Sequence, residues 1–499
     1  MKTGGKDNFL IKDVGTRLLL GWFKVVTDDE IFRSTNNFRN MMRWSLLLRK
    51  INVLSITGEI KMALETGNEC LLIAEKTAIK KLISDTNLCL AEIYADLGDF
   101  FAVKDKATKA LIFYEQINDI EGEAWSLNQL GRAFVYEGRL DEAIEKHRSA
   151  EVLFKKCNNL EGQAYTHNNL ANLYWRNGST AEAQQSYEAA LELFKRLGLQ
   201  QQISLALNNL GTVFQRFGDH SASNRYFADS LRIRKEIGDK MGIGTVLNNM
   251  GMNALFLGNY ESAIDHLQQA LRTRRETGQI KEMGIIYSNI GNAYAKLGEY
   301  DKANGFYLEA LDIKKRMHDD YSLAVTYLSM AIAALDTRKN DEAQECLNKV
   351  SAINKKLNND DLHARMNEVA VTLRLETDMP IDEQVKKQIE IDIESAMRNK
   401  MQVRLATFLM LKGRIRLVEN DYGEANRLFT QSLDIFINSS DRYNRGKVLY
   451  FMGIAHCLAG NSPKAIGVLR ESLDIFGTIK ARLWLNRVGS FLKEKENRP

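Results

Sequence analysis

Apolar positions along this chain recur at helical spacing, in blocks of forty residues. The stretch LNNLGTVFQRFG, from Leu207 to Gly218, returns as LNNMGMNALFLG from Leu247 to Gly258. On both sides of the closing glycine the apolar residues follow the spacing of an amphipathic helix. Each block is therefore predicted to be two helices joined by a tight turn, and the chain to be all-α.

Small residues mark fixed places in every block. Seven glycines stand at an interval of forty residues: Gly58, Gly98, Gly138, Gly178, Gly218, Gly258 and Gly298. A glycine at the end of a helix supplies a left-handed backbone that a residue with a Cβ adopts only under strain. A second small residue recurs seven positions before it, at Ala91, Gly131, Ala171, Gly211, Gly251 and Gly291. It predicts a close approach between the two helices, where a longer side chain would overpack the contact.

One helix pair cannot bury its apolar faces alone, so the blocks must stack on one another. We count about eleven pairs, and the pattern changes along the chain. Arg338 replaces the expected glycine, and after residue 400 the signature returns shifted by two positions, with Gly413 and Gly453. The predicted divisions are an N-terminal helical cap (1–40), eight forty-residue repeats (41–360), a degenerate helical pair (361–400), two further repeats (401–480) and a C-terminal capping helix and tail (481–499).

Composition narrows the class of protein. The 499 residues include only three prolines, which suits long helices. The net charge of +4, from 68 basic and 64 acidic residues, gives no strong attraction to nucleic acid or to an anionic membrane. Five widely spaced cysteines and an N-terminal apolar run of six residues, LLLGWF, favour a reduced protein without a signal peptide or membrane span. We expect a cytoplasmic protein that contacts neither nucleic acid nor membrane directly.

Signatures of catalysis are missing from the sequence. TGGKDN, at residues 3–8, lacks the spacing and the hydroxyl of a phosphate-binding loop, and the seven histidines are scattered. The sequence contains neither Gly-x-Ser-x-Gly nor His-Glu-x-x-His, and no paired Cys/His ligand set. The expectation is a protein that is not an enzyme and has no catalytic residues, metal site or cofactor.

The segment NIGNAYAKLGEYDKANGFYLEAL, Asn289 to Leu311, has a small residue after an apolar one, an aromatic three positions later, a Gly-Glu-Tyr turn, and then Ala, aromatic, Ala. This order resembles the tetratricopeptide repeat, in the forty-residue form found in polarity scaffolds and bacterial signalling regulators. The resemblance implies a right-handed superhelical α-solenoid. It also implies that the first helices of successive pairs line a concave groove that binds a peptide.

The resemblance places one row of asparagines along this groove and assigns further polar residues to the same face. An asparagine amide can both donate and accept, so a row of them can hold an extended peptide backbone. A second row, Asn169, Asn209, Asn249 and Asn289, is expected to have a structural role between helices. The predicted peptide-binding residues are Asn128, Arg132, Asn168, Asn172, Trp175, Arg176, Asn208, Gln215, Arg216, Asn248, Asn292 and Lys296.

Three functions remain open from the sequence. The leading one is a non-catalytic interaction scaffold or sensor arm in signalling or regulation, which binds a peptide or a partner protein's segment. An alternative is the regulatory part of a multidomain bacterial NTPase, kinase, cyclase or transcriptional regulator whose catalytic module is absent from this chain. A third is a self-assembling homo-oligomer that uses residues 361–400 as its contact surface.

Overall fold

The structure of the protein is a computed structural model that describes residues 35–57, 59–398 and 401–496. Gly58 and the first 34 residues of the predicted N-terminal cap lie outside the described residues. The helices are α1 (Thr35–Thr57), α2 (Ile60–Thr77), α3 (Lys80–Leu97), α4 (Phe100–Ile117), α5 (Ile120–Tyr136), α6 (Leu140–Lys156), α7 (Leu160–Arg176), α8 (Thr180–Leu197), α9 (Gln200–Phe217), α10 (His220–Glu236), α11 (Lys240–Phe256), α12 (Tyr260–Glu276), α13 (Ile280–Leu297), α14 (Tyr300–Arg316), α15 (Asp320–Asp336), α16 (Asn340–Leu357), α17 (Asp360–Glu376), α18 (Glu383–Arg398), α19 (Gln402–Val418), α20 (Tyr422–Asn438), α21 (Arg442–Leu458), α22 (Ser462–Thr478) and α23 (Arg482–Glu496).

Most consecutive helices pack as antiparallel neighbours, α1 with α2, α3 with α4 and onward along the chain. The exception is the degenerate pair, in which α17 packs more on α19 than on α18. Across the described ranges this gives eleven pairs followed by the single helix α23. The prediction of an all-α solenoid of helix-turn-helix pairs is confirmed.

The turns repeat twice as often as the glycine signature suggests. A residue with positive φ stands every twenty positions from Ala78 to Asp378, whether it is glycine or not. Arg338, where the glycine is missing, keeps the same left-handed conformation at φ 60°. The series then resumes at Asn420, two residues later than the spacing of twenty requires, which matches the predicted shift.

The small residues of the first helices lie where the second helix of the same pair comes closest. A Cβ placed on Gly131 would lie 2.6 Å from Nε2 of His147, and one on Gly291 would lie 2.6 Å from the Tyr307 ring. Both distances are shorter than a van der Waals contact. The predicted close approach is confirmed, and it allows a large side chain of the second helix to be buried against the first.

Contacts divide the chain into two compact units. Of the described residues, unit 1 comprises those up to residue 213 together with 236–238, and unit 2 comprises 214–235 and those from residue 239 onward. In unit 1 the first helices α3, α5 and α7 contact one another in turn, and this contact is closer than that between the second helices α4, α6 and α8. The stack in unit 1 is therefore concave on the side of its first helices, and we call this surface the unit 1 groove.

Unit 2 is closed by contacts between its last helix pairs and earlier turns. The side chain of Ile479 reaches the turn at Gly258, and the Asn438 carbonyl reaches the turn at Gly218. Tyr260 and Leu297 share one buried apolar cluster with residues of α19–α23, among them Phe476, Ile479 and Trp484. The final helix α23 therefore packs against earlier repeats as well as against α22.

Candidate functional site

Three asparagines of the predicted peptide-binding row are buried. The exposed fraction is 3% for Asn128, 9% for Asn168 and 6% for Asn208, while Asn248 is half-buried. The side chains of the first three therefore lie between neighbouring helices rather than open to solvent, and the prediction that they bind a peptide stays a prediction. Whether any of them contacts a ligand depends on which amide atoms the protein itself satisfies.

The Asn128 amide is fully engaged within the protein. Its Nδ2 donates to Oγ1 of Thr166 at 2.9 Å, and its Oδ1 lies 2.6 Å from Nδ1 of His147. Because an amide oxygen only accepts, the His147 ring must carry its proton on Nδ1. Burial lowers the pKa of His147 to about 4, with a smaller contribution from Arg132. The imidazole is therefore neutral, and Asn128 joins α5 to α6 and α7.

Asn168 occupies the same place one repeat later, but its two partners are replaced. Forty residues beyond Thr166 stands Ala206, which has no hydroxyl, and forty beyond His147 stands Tyr187. The Tyr187 hydroxyl donates instead to Oδ1 of Asn172 at 2.5 Å. The Oδ1 of Asn168 is consequently buried without a hydrogen-bond partner among the described residues. Leaving such a group unsatisfied costs about 1–3 kcal/mol, and a ligand donor could recover this.

The two asparagine rows touch each other in the following repeats. Nδ2 of Asn208 lies 3.4 Å from Oδ1 of Asn209, and Nδ2 of Asn289 donates to Oδ1 of Asn248 at 3.2 Å. These distances are at the long end for hydrogen bonds. The first contact lies within α9, and the second joins the first helices α11 and α13.

The other predicted residues of unit 1 lie on α5 and α7. Arg132 is half-buried and donates from Nη1 to Oε1 of Gln129 at 3.0 Å. Asn172 and Arg176 are exposed, and Trp175 between them is half-buried. The unit 1 groove thus combines hydrogen-bonding groups, a cation and an aromatic surface.

The predicted residues of unit 2 have different surroundings. Arg216 is exposed, and Nε2 of Gln215 lies 3.4 Å from Oδ1 of Asn253. Oδ1 of Asn292 accepts a hydrogen bond of 2.9 Å from the Tyr307 hydroxyl. Nζ of Lys296 lies 3.3 Å from the centroid of the Tyr443 ring. Burial lowers the pKa of Lys296 to about 8. The C-terminal pairs therefore cover this lysine, which the sequence placed on an open face.

Two carboxylates that the sequence analysis missed organise the C-terminal part of unit 2. Asp336 accepts from the Tyr443 hydroxyl at 2.7 Å and from the Trp484 indole at 3.3 Å. Glu376 lies between two guanidinium groups, 2.7 Å from Arg414 and 2.6 Å from Arg487. Most of these partners are more than a hundred residues away, so no spacing rule in the sequence points to them.

Glu92 is a third missed carboxylate, and it lies in the unit 1 groove. Its position corresponds to Arg132 and Asn172 in the next two pairs. Those two residues were predicted to bind the peptide, but Glu92 itself was not singled out. Burial raises the pKa of Glu92 to about 7, although the nearby Arg132 acts in the opposite direction.

The described residues contain no cluster of His, Cys, Asp or Glu that could hold a metal ion. Among the same residues, no helix combines the length and the apolar character that crossing a bilayer requires.

Comparisons with known proteins agree with this architecture. A family model described as "Tetratricopeptide repeat" matches residues 162–236, 202–276 and 282–356. A search of curated proteins finds no match. Among solved structures, a Signal Transduction ATPase with Numerous Domains protein with a tetratricopeptide repeat sensor, PH0952 from Pyrococcus horikoshii, is similar at 16% identity, with a TM-score of 0.50 over 73% of this chain and 55% of that chain.

Two further solved structures are similar to this chain at low identity. A Rap protein complexed with competence and sporulation factor is 16% identical, with a TM-score of 0.48 over 79% of this chain and 99% of that chain. Aspartyl phosphate phosphatase F from Bacillus subtilis is 14% identical, with a TM-score of 0.49 over 71% and 94%. The forty-residue signature, the stacked helix pairs and the matched family model together show that residues 162–276 and 282–356 are tetratricopeptide repeats.

Proposed function

We propose that the protein is a non-catalytic binding module in signalling or regulation, which holds an extended peptide segment of a partner protein in the unit 1 groove. The observation that carries this proposal is the buried, unpartnered Oδ1 of Asn168. Buried polar atoms in folded proteins are almost always hydrogen-bonded, so an orphaned acceptor beside the groove points to a donor that the described residues do not supply.

The side chains around Asn168 suit a peptide backbone. Arg132 and Asn172 lie on adjacent first helices, and each can form hydrogen bonds in addition to its contact within the protein. Trp175 offers an aromatic surface for a side chain of the peptide, and Arg176 offers an exposed cation. These groups supply both polar contacts to the main chain and an apolar anchor, the combination that peptide-binding grooves use.

The proposal assigns the twelve predicted residues to different roles. Asn168, Arg132, Asn172, Trp175 and Arg176 contact the peptide. Asn128 has a structural role, because both of its amide atoms are engaged, and Lys296 lies beneath Tyr443. The remaining predictions, for Asn208, Gln215, Arg216, Asn248 and Asn292, stay predictions.

A random-peptide display library provides the test. The purified chain should select peptides that also bind the Lys195→Glu variant, since Lys195 is exposed on the second helix α8 outside the groove. The matched Arg176→Glu variant, which reverses a charge within the groove, should lose them. Selection of no peptides, or equal binding by both variants, would overturn the proposal.

A further inference from the structure

The unit 1 groove carries an electrostatic pattern that narrows the kind of peptide it can hold. Along the row of equivalent positions in α3, α5 and α7, the residues are Glu92, Arg132 and Asn172. One turn further along the first and third of these helices stand Asp96 and the exposed Arg176. The groove is therefore acidic beside α3 and basic beside the end of α7.

Glu92 forms no direct ion pair among the described residues, although the charge of Arg132 acts on it from the next first helix. Its carboxylate forms no hydrogen bond and no ion pair within 4.0 Å among residues 35–57, 59–398 and 401–496. Arg132, the oppositely charged residue at the equivalent position of α5, donates a hydrogen bond to Gln129. A half-buried carboxylate has lost part of its hydration, so a cation that reaches it gains more than it would at an open surface.

The second unpartnered group in the groove is also an acceptor. The Oδ1 of Asn168 is buried, and this residue lies on α7, two helix pairs beyond Glu92. Neither acceptor has a hydrogen-bond donor among the described residues. A bound chain can supply one at the half-buried Glu92, from a backbone N–H group or a cationic side chain.

The distance between the acidic and basic ends gives the spacing of charges in the peptide. Neighbouring packed helices have axes roughly 8–10 Å apart, so α3 and α7 lie roughly 20 Å apart along the row. An extended chain advances about 3.3 Å per residue. A peptide that reaches from Glu92 to Arg176 therefore spans about six residues.

We propose that the unit 1 groove selects peptides with a lysine or arginine that binds Glu92 and an aspartate or glutamate about six positions away that binds Arg176. This inference rests on the proposed function, and it adds the charge and the spacing of the ligand. Glu92 acts in it as the residue that determines specificity.

The test uses the wild-type chain to select peptides from a random-peptide display library and then compares their binding to variants of the chain. The selected sequences should be enriched in a basic and an acidic residue at the stated spacing. A synthetic peptide of that sequence should bind the Glu92→Gln variant about ten- to a hundred-fold more weakly, since a charge-assisted hydrogen bond is lost. Glu192→Gln, an exposed carboxylate on α8, is the matched control and should bind as the wild type does.

The Glu92→Lys variant gives a second test. Peptides selected with this variant should carry an acidic residue where the wild-type chain selects a basic one. Melting curves of both Glu92 variants establish that they are folded. If the wild type and Glu92→Gln bind the same peptides equally, or the selected peptides lack the basic residue, this inference is overturned. In either case the proposed function survives as long as Arg176→Glu abolishes binding, whereas a wild-type chain that selects no peptides at all contradicts the proposed function itself.

Discussion

His147 shows how one buried side chain makes the stability of unit 1 depend on pH. It is 1% exposed, and burial lowers its pKa from 6.5 to about 4. Between these values the unfolded chain binds a proton that the folded chain does not bind, so stability is present above pH 6.5 and is lost as the pH falls toward 4. The loss amounts to about 3 kcal/mol at most.

We expect urea unfolding of wild-type protein and of a His147→Gln variant to show this difference. The variant should be less stable at pH 7, because its contact with Asn128 is altered, and the gap should shrink at pH 5. Glu92, whose pKa is raised from 4.5 to about 7, has the opposite pH dependence. It is present in both proteins and cancels in the comparison. A gap of constant size at the two pH values would show that His147 is not the titrating group.

The individual contacts of the asparagines could not be read from the sequence. Asn128 and Asn168 have the same position in the repeat, yet one is fully bonded and the other has an orphaned oxygen, because the partner residues changed from Thr166 to Ala206 and from His147 to Tyr187. A repeat signature defines which positions meet. The residue types at both ends of each contact decide whether a position is structural or available to a ligand.

At the scale of the helix and its turn, the sequence predicted most of the observed structure. The glycine interval predicted one left-handed turn in each pair, and those turns are present at Gly98, Gly138 and the later glycines. The turns between pairs were missed as left-handed positions because they use several residue types, among them Ala78, Asn118 and His318. Asparagine tolerates this conformation better than most residues, so no single residue type marks the second series.

Gly218 and Gly138 allow the turn conformation to be separated from contacts made by the turn. Both have positive φ, 82° and 77°. A Cβ on Gly218 would lie 2.7 Å from the Asn438 carbonyl oxygen, whereas nothing lies within 4 Å of one on Gly138. We expect Gly138→Ala to cost about 1 kcal/mol for backbone strain alone, and Gly218→Ala to cost more, about 2–4 kcal/mol.

Thermal melting and hydrogen exchange check this pair of variants. In the Gly218→Ala variant the additional loss of protection should extend to α20, which ends at Asn438, and to the start of α21. Equal destabilisation by the two substitutions would mean that the contact between this turn and Asn438 contributes nothing to the folded state.

At the scale of unit 2 as a whole, Tyr443 has two roles. Its hydroxyl donates a hydrogen bond to Asp336, and its ring covers Lys296. Two substitutions separate these roles. Tyr443→Phe removes the hydroxyl and keeps the ring, so Lys296 should stay protected from an amine-acylating reagent. Tyr443→Ala removes the cover, and labelling of Lys296 should rise at least several-fold at pH 8, near its pKa of about 8.

Peptide mapping by mass spectrometry measures the labelling, with the exposed Lys281 as an internal reference whose reactivity should not change. If Lys296 reacts as fast as Lys281 in the wild-type chain, the C-terminal pairs do not cover it in solution. This arrangement could not be predicted from the sequence, because periodicity reports contacts between neighbouring repeats, and Lys296 and Tyr443 are separated by three further helix pairs.

The closure of unit 2 also sets an order of events during synthesis. Each helix pair can pack onto the preceding pair as it leaves the ribosome, but Tyr260 and Leu297 receive their apolar neighbours Phe476, Ile479 and Trp484 only when nearly the whole chain has been translated. At typical bacterial and eukaryotic elongation rates of about 5–20 residues per second, this delay lasts about 10–40 s. For that time the nascent chain presents an uncovered apolar edge, which makes it a substrate for ribosome-associated chaperones and a point of aggregation when translation stalls before residue 476.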